Sequence, residues 1–302
     1  MSSPKRVGVI GAGPWGRVLI RALQRMPERF KIETIVTSNE QAPNWPVVAG
    51  GGCSILKSWR DLFAAKDLDA VVIATPPQTH GEILCAAMAA GMPAFVEKPL
   101  CLNTDEAADL LRIQQETGAL VLVDHIHLFS AAFERLKQEL ATMGPVLEIE
   151  SYGGNDGPFR EGYSALWDYG SHDLAMILDL MDDRPEVLSC TSVKSGQGEN
   201  FEVGLKFAAG ARCRIRVGSA FETKTRRLLI RARDGELVYD DPAQQKLKRD
   251  GMSLELDLTA PLDRSLWDFH AGILGNPSSR FGLQLANDVV EALDRAQALA
   301  RR

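Results

Sequence analysis

No run in this 302-residue chain approaches the roughly 18 consecutive apolar positions that a membrane-spanning helix needs. A membrane-embedded role is therefore not expected. Cysteine is scarce. Cys53, Cys85, Cys101, Cys190 and Cys213 are odd in number and scattered, with no C-x-x-C pair, which argues against both a disulfide framework and a zinc site. A surplus of positive charge is also lacking. With 34 Lys and Arg against 40 Asp and Glu, the net charge of -6 leaves nothing spare to neutralise phosphates, so nucleic acid is not an expected partner. No apolar stretch with a cleavage site precedes the strand-like segment beginning at Arg6, and the expected location is cytoplasmic. Internal repeats and low-complexity segments are absent as well.

The length fits two domains. Up to Asp124 short β-branched runs alternate with helical stretches, the rhythm of parallel strands joined by crossover helices. Strands are expected at Arg6 to Ile10, Lys31 to Val36, Ala70 to Ile73, Pro93 to Val96 and Leu120 to Asp124. Helices are expected at Trp15 to Met26, Ser58 to Ala65 with Ser58 as N-cap, Thr79 to Ala90 closed by Gly91, and Asp105 to Thr117 closed by Gly118. From His125 the rhythm changes. A helix from Ser130 to Met143, a strand from Val146 to Tyr152, a Gly-rich loop and a helix from Leu166 to Met181 precede five successive strands. These are Leu188 to Ser195, Phe201 to Phe207, Arg212 to Gly218, Arg227 to Arg233 and Leu237 to Asp240, with turn signals at Ala209-Gly210 and Asp234-Gly235. A last helix runs from Gly282 to Ala300. The fold class is thus α/β: a doubly wound domain over residues 1–124, then an α+β domain over 125–302 on a mainly antiparallel open sheet.

In that sheet a period of two places Arg212, Arg214 and Arg216 on one face, with Cys213, Ile215 and Val217 on the other. Arg227, Arg231 and Arg233 alternate in the same way against Leu228, Ile230 and Ala232. The arginine face is not core. It is either a solvated face or a surface for a subunit or an anion.

Gly11-Ala12-Gly13-Pro14-Trp15-Gly16 fits G-x-G-x-x-G and stands between a strand and a helix, where the chemistry requires it. Glycine permits the tight turn and lets the main chain approach a pyrophosphate, which the helix N-terminus then holds. The carboxylate that reads the adenosine ribose belongs at the end of the second strand, yet Thr37, Ser38 and Asn39 stand there, and Glu33 lies mid-strand. With neither a carboxylate nor a cation nearby, the choice between NAD and NADP stays open. Ala74-Thr75-Pro76-Pro77-Gln78-Thr79-His80 and Glu97-Lys98-Pro99 end two further parallel strands. Ligands of open α/β sheets bind at such ends, so Thr75, Pro76, His80, Glu97 and Lys98 are candidate cofactor contacts. A partly desolvated Lys98 could release a proton or bond a substrate hydroxyl, whereas His80 could equally be an ordinary helix residue. In Trp167-Asp168-Tyr169-Gly170-Ser171-His172-Asp173, Asp168 and His172 are i and i+4 neighbours on one helix face. Each also has a structural reading, as a first-turn carboxylate and a core histidine.

Together Val7 to Gly16, Ala74 to Leu100 and Leu166 to Leu178, with Phe281 to Ala298, resemble the glucose-fructose oxidoreductase and inositol dehydrogenase family, Gfo/Idh/MocA. The resemblance implies a Rossmann domain followed by a domain whose open sheet forms homo-oligomers. It also implies NAD or NADP as cofactor, Lys98, His172 and Asp168 as catalytic residues, and a small-molecule substrate of the sugar, cyclitol or sugar-nucleotide class. Two departures stand out: Thr37 replaces a common Asp, and Ala175 stands three residues after His172 where a second Asp is usual, although Asp173 follows His172 directly. The stretch Val123 to Phe129 is similar to members acting on nucleotide-linked sugars. The expected dinucleotide contacts are Gly11, Gly13, Pro14, Trp15, Gly16, Thr37 and Ser38. The expected substrate contacts are Lys98, His125, Arg160, Tyr163, Asp168 and His172, with Asn155 and Asp156 from the loop ahead of the helix as further candidates. Proton transfer by Lys98 and His172 would place the reaction in a cleft between the domains. The alternative is a regulatory protein that kept the fold and NAD(P) binding but lost the reaction.

Overall fold

A computed structural model describes residues 3–38, 52–64, 67–257 and 259–301. Asn39 and Ala65 lie outside them. Two compact units emerge, the first made of Met1–Cys101, Asp105–Asp124 and Leu262–Asn287, the second of Leu102–Thr104, His125–Pro261 and Asp288–Arg302.

The first unit is built on six parallel strands in the order β3-β2-β1-β4-β5-β6: β1 Lys5–Ile10, β2 Phe30–Val36, β3 Ser54–Leu56, β4 Ala70–Ile73, β5 Ala94–Glu97 and β6 Val121–Asp124. Apart from the edge strand β3, their runs of Val, Ile, Ala and Phe are largely buried on both faces, as crossover helices require. Those helices are α1 Pro14–Gln24, α2 Trp59–Ala64, α3 His80–Ala89 and α4 Thr104–Thr117. Ser58 does cap α2, its hydroxyl accepting from the Arg60 amide at 3.2 Å. The order reverses between β1 and β4, and the open ends of those two strands lie side by side at this switch point.

A boundary after Asp124 does not describe this unit fully, because a segment from late in the chain returns to it. Pro261–Ile273 forms a helix that the sequence reading passed over, its Phe269 fully buried edge-on to Phe95 of β5 at 5.5 Å. Phe281 then bridges Leu122 of β6. Leu262, Leu266 and Phe269 carry the helical spacing, and this apolar stripe is what draws the segment onto the sheet.

The second unit is an eight-stranded sheet in the order β14-β13-β12-β11-β7-β10-β9-β8. Its strands are β7 Val146–Asp156, β8 Glu186–Ser195, β9 Gly198–Lys206, β10 Arg212–Gly218, β11 Ala220–Ala232, β12 Gly235–Asp240, β13 Leu247–Arg249 and β14 Met252–Ser253. Every pairing is antiparallel except that of β7 with β10. Strand β7 runs four residues beyond the expected end, so Asn155 and Asp156 belong to a strand rather than to a loop.

Three further α-helices are α5 Ala131–Leu140, α6 Ala165–Met181 and α8 Gln284–Ala300, with Pro261–Ile273 taken as α7, and short 3-10 helices lie at Pro77–Thr79 and Ile126–Phe129. Cys213, Ile215 and Val217 are buried and Arg212 and Arg214 exposed, as the period of two requires. Glutamates interleave the arginines of the outer face: Arg231 pairs with Glu148 at 2.6 Å and Glu236 at 3.4 Å, and Arg216 with Glu202 at 2.6 Å.

Arg226 is in phase with Leu228 and Ile230 and so points inward from β11, an arginine at a core position. Its guanidinium pairs with the carboxylate of Asp173 on α6, which also accepts from Ser151, and both ionic side chains are almost fully buried. Gly153 makes room for the pair, since a Cβ there would collide with both partners. Removing one member of a buried ion pair strands the other. Arg226→Met should therefore lower the unfolding free energy by about 3–5 kcal/mol in urea titrations, and a loss under about 1 kcal/mol would show the pair to be dispensable.

Candidate active site

The glycine turn closes where β1 meets β4. Gly11 adopts φ +98°, and a Cβ on it would lie 2.6 Å from the carbonyl oxygen of Ala74, while one on Gly16 would strike the carbonyl of Gly11. Both glycines are demanded by the protein's own packing. Gly13 differs. It is the N-cap of α1, at an ordinary φ of -63°, and no described atom lies within 4 Å of a Cβ placed there. No side chain caps α1, and Pro14 occupies its first turn. Uncapped N–H groups, the positive end of the helix dipole and the open space at Gly13 fit a pyrophosphate. At the end of β2, Thr37 is buried with its amide bonded to Leu56 at 3.0 Å, and Ser38 is exposed. Glu33 is committed to Lys31 at 2.7 Å and Arg6 at 3.1 Å, and the Lys31 hydrogen bond leads in holding its carboxyl below the usual range. Among the described residues no carboxylate takes the ribose position.

At the ends of β4 and β5 the side chains knit the two strands together. Thr79 donates to the Thr75 hydroxyl at 2.8 Å, and Pro76 is exposed. His80 corrects an expectation. Only 1% exposed, its ring faces the carbonyl of Pro99 through Nδ1 at 2.9 Å and that of Thr75 through Nε2 at 2.8 Å, so main chain rather than ligand occupies both nitrogens. Burial holds it below the ordinary histidine range against the pull of those carbonyls. Glu97 ends β5 in register with Asp124, which ends β6, and both are buried. Glu97 accepts from the Trp15 indole N–H and, at 3.3 Å, from the amide of Lys98. Lys98 follows at the carboxyl end of β5, half-buried.

In the second unit α6 carries the other constellation. Asp168, in its first turn, is buried and accepts from Arg160 Nε at 2.8 Å. Tyr163 lies half-buried nearby, its hydroxyl pushed up by burial and by the Asp168 charge. His172 stands one turn after Asp168 and meets His127 edge-on, with ring centroids 4.9 Å apart. His127 in turn faces Asp241: burial alone would raise that carboxyl, but the Lys246 bond and the charges of His127, Lys246 and Lys224 hold it low. His125 is buried. Asp173, which follows His172 directly, is spent on Arg226, and Ala175 is fully buried. Within each unit, then, the expected residues gather: the Gly turn with Thr75, Glu97 and Lys98 in the first, and Arg160, Tyr163, Asp168 and His172 in the second. The sequence reading missed Asp124, His127 and Asp241. An acidic residue ending an all-apolar strand was a visible signal for Asp124. The other two are joined only by folding.

Comparison with known proteins follows this geometry. A sequence model of the Gfo/Idh/MocA oxidoreductase family, described by its NAD-binding Rossmann fold, matches residues 5–125. A candidate oxidoreductase from Magnetospirillum magnetotacticum MS-1, known from its crystal structure, is 35% identical; the superposition covers 97% of this chain and 99% of that one, with a TM-score of 0.87. UDP-N-acetylglucosamine 3-dehydrogenase from Acidithiobacillus ferrooxidans shares the fold at 22% identity and a TM-score of 0.84, over 98% of this chain and 97% of its own. By sequence, inositol 2-dehydrogenase 3 of Saccharopolyspora erythraea is 28% identical over 63% of this chain and 56% of its own length. The chain spans about half the length of such curated relatives. With its glycine turn at the β1–β4 switch and its Glu97-Lys98-Pro99 strand end, the chain belongs to the Gfo/Idh/MocA family of NAD-binding Rossmann oxidoreductases.

Proposed function

We propose that the protein is an NAD(P)-dependent oxidoreductase acting on a carbinol or carbonyl carbon of a small polar molecule, in the class of sugars, cyclitols and sugar nucleotides. The observation that carries this reading is the pairing of a glycine turn left open at Gly13 with a lysine at the end of β5, on one sheet. The names of the inositol dehydrogenase relative and of the UDP-sugar dehydrogenase with the same fold support the substrate class.

When bound, NAD(P) supplies the hydride acceptor or donor. The chain's own residues do the rest. The turn and the start of α1 hold the pyrophosphate, with Gly11, Pro14, Trp15, Gly16, Thr37, Ser38, Thr75 and Pro76 around the dinucleotide. Oxidation of an alcohol requires its hydroxyl proton to leave as the hydride departs, and Lys98 and His172 are assigned to that proton. Asp168, fixed by Arg160, orients His172, and Arg160, Tyr163 and His125 contact the substrate. The outer Arg–Glu face of the second unit's sheet is assigned to a homo-oligomer interface, where charges alternating in sign suit a second copy.

Turnover is tested with a panel of sugars, cyclitols and sugar nucleotides, read by the absorbance of reduced nicotinamide. Lys98→Ala and His172→Ala should each lose about two to four orders of magnitude in kcat while retaining cofactor affinity, and the double variant should lose far less than the product. A fully active Lys98→Ala enzyme would remove the lysine from the mechanism. Binding without turnover across the panel would favour the regulatory alternative. Gly13→Val should fold normally, having no neighbour to displace, yet weaken dinucleotide binding by about tenfold or more in calorimetry, because the branched chain fills the phosphate approach. Unchanged affinity would take the glycine turn out of the argument. With Thr37 and Ser38 in place of a ribose-reading carboxylate, the ratio of kcat/KM for NAD and NADP should stay within about a hundredfold, and a greater preference for NAD would reveal a carboxylate reading the ribose from elsewhere.

A further inference from the structure

Asp124 is a buried acid with no part in the roles assigned above. It closes β6 directly opposite Glu97, which closes β5, and the residues are 1% and 7% exposed. Paired positions on neighbouring strands present their side chains to the same side, so the two carboxyl groups are neighbours. The groups that face them are Lys98 from the end of β5, the Trp15 indole from α1 and the Ser265 hydroxyl from α7. One cation against two carboxylates in a buried place leaves one negative charge uncompensated, and such a pair keeps a proton between its members.

The donors settle where that proton sits. Glu97 accepts from two N–H groups, the Trp15 indole and the Lys98 amide, an arrangement that suits an anion. The proton therefore rests on Asp124, whose hydroxyl can donate to Glu97. We infer that Asp124 is a positioning residue of the dinucleotide site: by sharing one proton with Glu97 it keeps that carboxylate clamped on Trp15. This ties the start of the helix after the glycine turn to the strand end that carries Lys98. The inference rests on that turn being the dinucleotide site, and not on any turnover.

The clamp responds to pH. Burial pushes both carboxyl groups above the ordinary carboxylate range, with the charge of Lys98 opposing the rise in each. The titration belongs to the pair, which sheds one proton near neutrality and keeps the other. The protein has five tryptophans, so the Trp15 signal is the difference in emission between each protein and its Trp15→Phe counterpart. In the otherwise unaltered chain this signal should titrate near neutral pH. Asp124→Asn keeps a donor to Glu97 and leaves no charge there, so the midpoint should stay within about half a pH unit, whereas Asp124→Ala removes the donor, makes Glu97 harder to ionise and should raise the midpoint by about one unit or more. Glu97→Gln should abolish the titration. In NADH-binding measurements at pH 8, Asp124→Ala should weaken affinity about tenfold and Asp124→Asn restore most of it, with circular dichroism confirming that each variant is folded. An unmoved midpoint in Asp124→Ala, or full NADH affinity in folded Asp124→Ala, overturns the assignment. Failure of the unaltered protein to bind either NADH or NADPH overturns the dinucleotide reading itself, and the assignment with it.

Discussion

Gly11 and Ala74 approach so closely that no side chain can stand between them, and the first unit's usefulness depends on that contact. The strand order reverses there, so α1 and the chain leaving β4 depart to opposite sides and leave main-chain groups exposed between them. Gly16 serves the same end by letting the first turn of α1 close over the Gly11 carbonyl. Only the middle glycine is unconstrained by the protein. Its freedom is intelligible as room for something the chain does not itself provide.

The second unit handles charge in two ways on one sheet. Outside, arginines and glutamates alternate in solvent, where each pair contributes little and the pattern chiefly sets what can dock. Inside, a single ion pair, Arg226 with Asp173, sits beneath α6 and is satisfied by Ser151 and by the space left at Gly153. The helix that bears His172 is thereby pinned at the very next residue. The aspartate that directly follows His172 is thus an anchor.

Much of this was legible in the sequence, for physical reasons. Apolar runs of four to seven residues between helical periods gave five of the six parallel strands, and G-x-G-x-x-G marked the turn because its glycines are enforced by collisions. Alternation of Arg with Cys, Ile and Val gave the faces of β10. What escaped was short or non-local. Ser54–Leu56 has three residues and no period to detect. The parallel pairing of β7 with β10 is a matter of register between distant segments. The return of Phe269 and Phe281 to the first unit depends on partners about 150 positions away or more. His80 was visible as a residue but not as a linker, because nothing in a sequence says that Thr75 and Pro99 carbonyls flank one ring.

That ring has an outcome of its own. Uncharged imidazole carries one hydrogen, yet His80 faces carbonyl oxygens from β4's exit on one side and β5's exit on the other. The two strand ends compete for a single hydrogen, and strengthening one bond weakens its opposite. One ring thus spans the loops after Ile73 and after Glu97, and in either uncharged tautomer only one of the two receives a hydrogen bond from it.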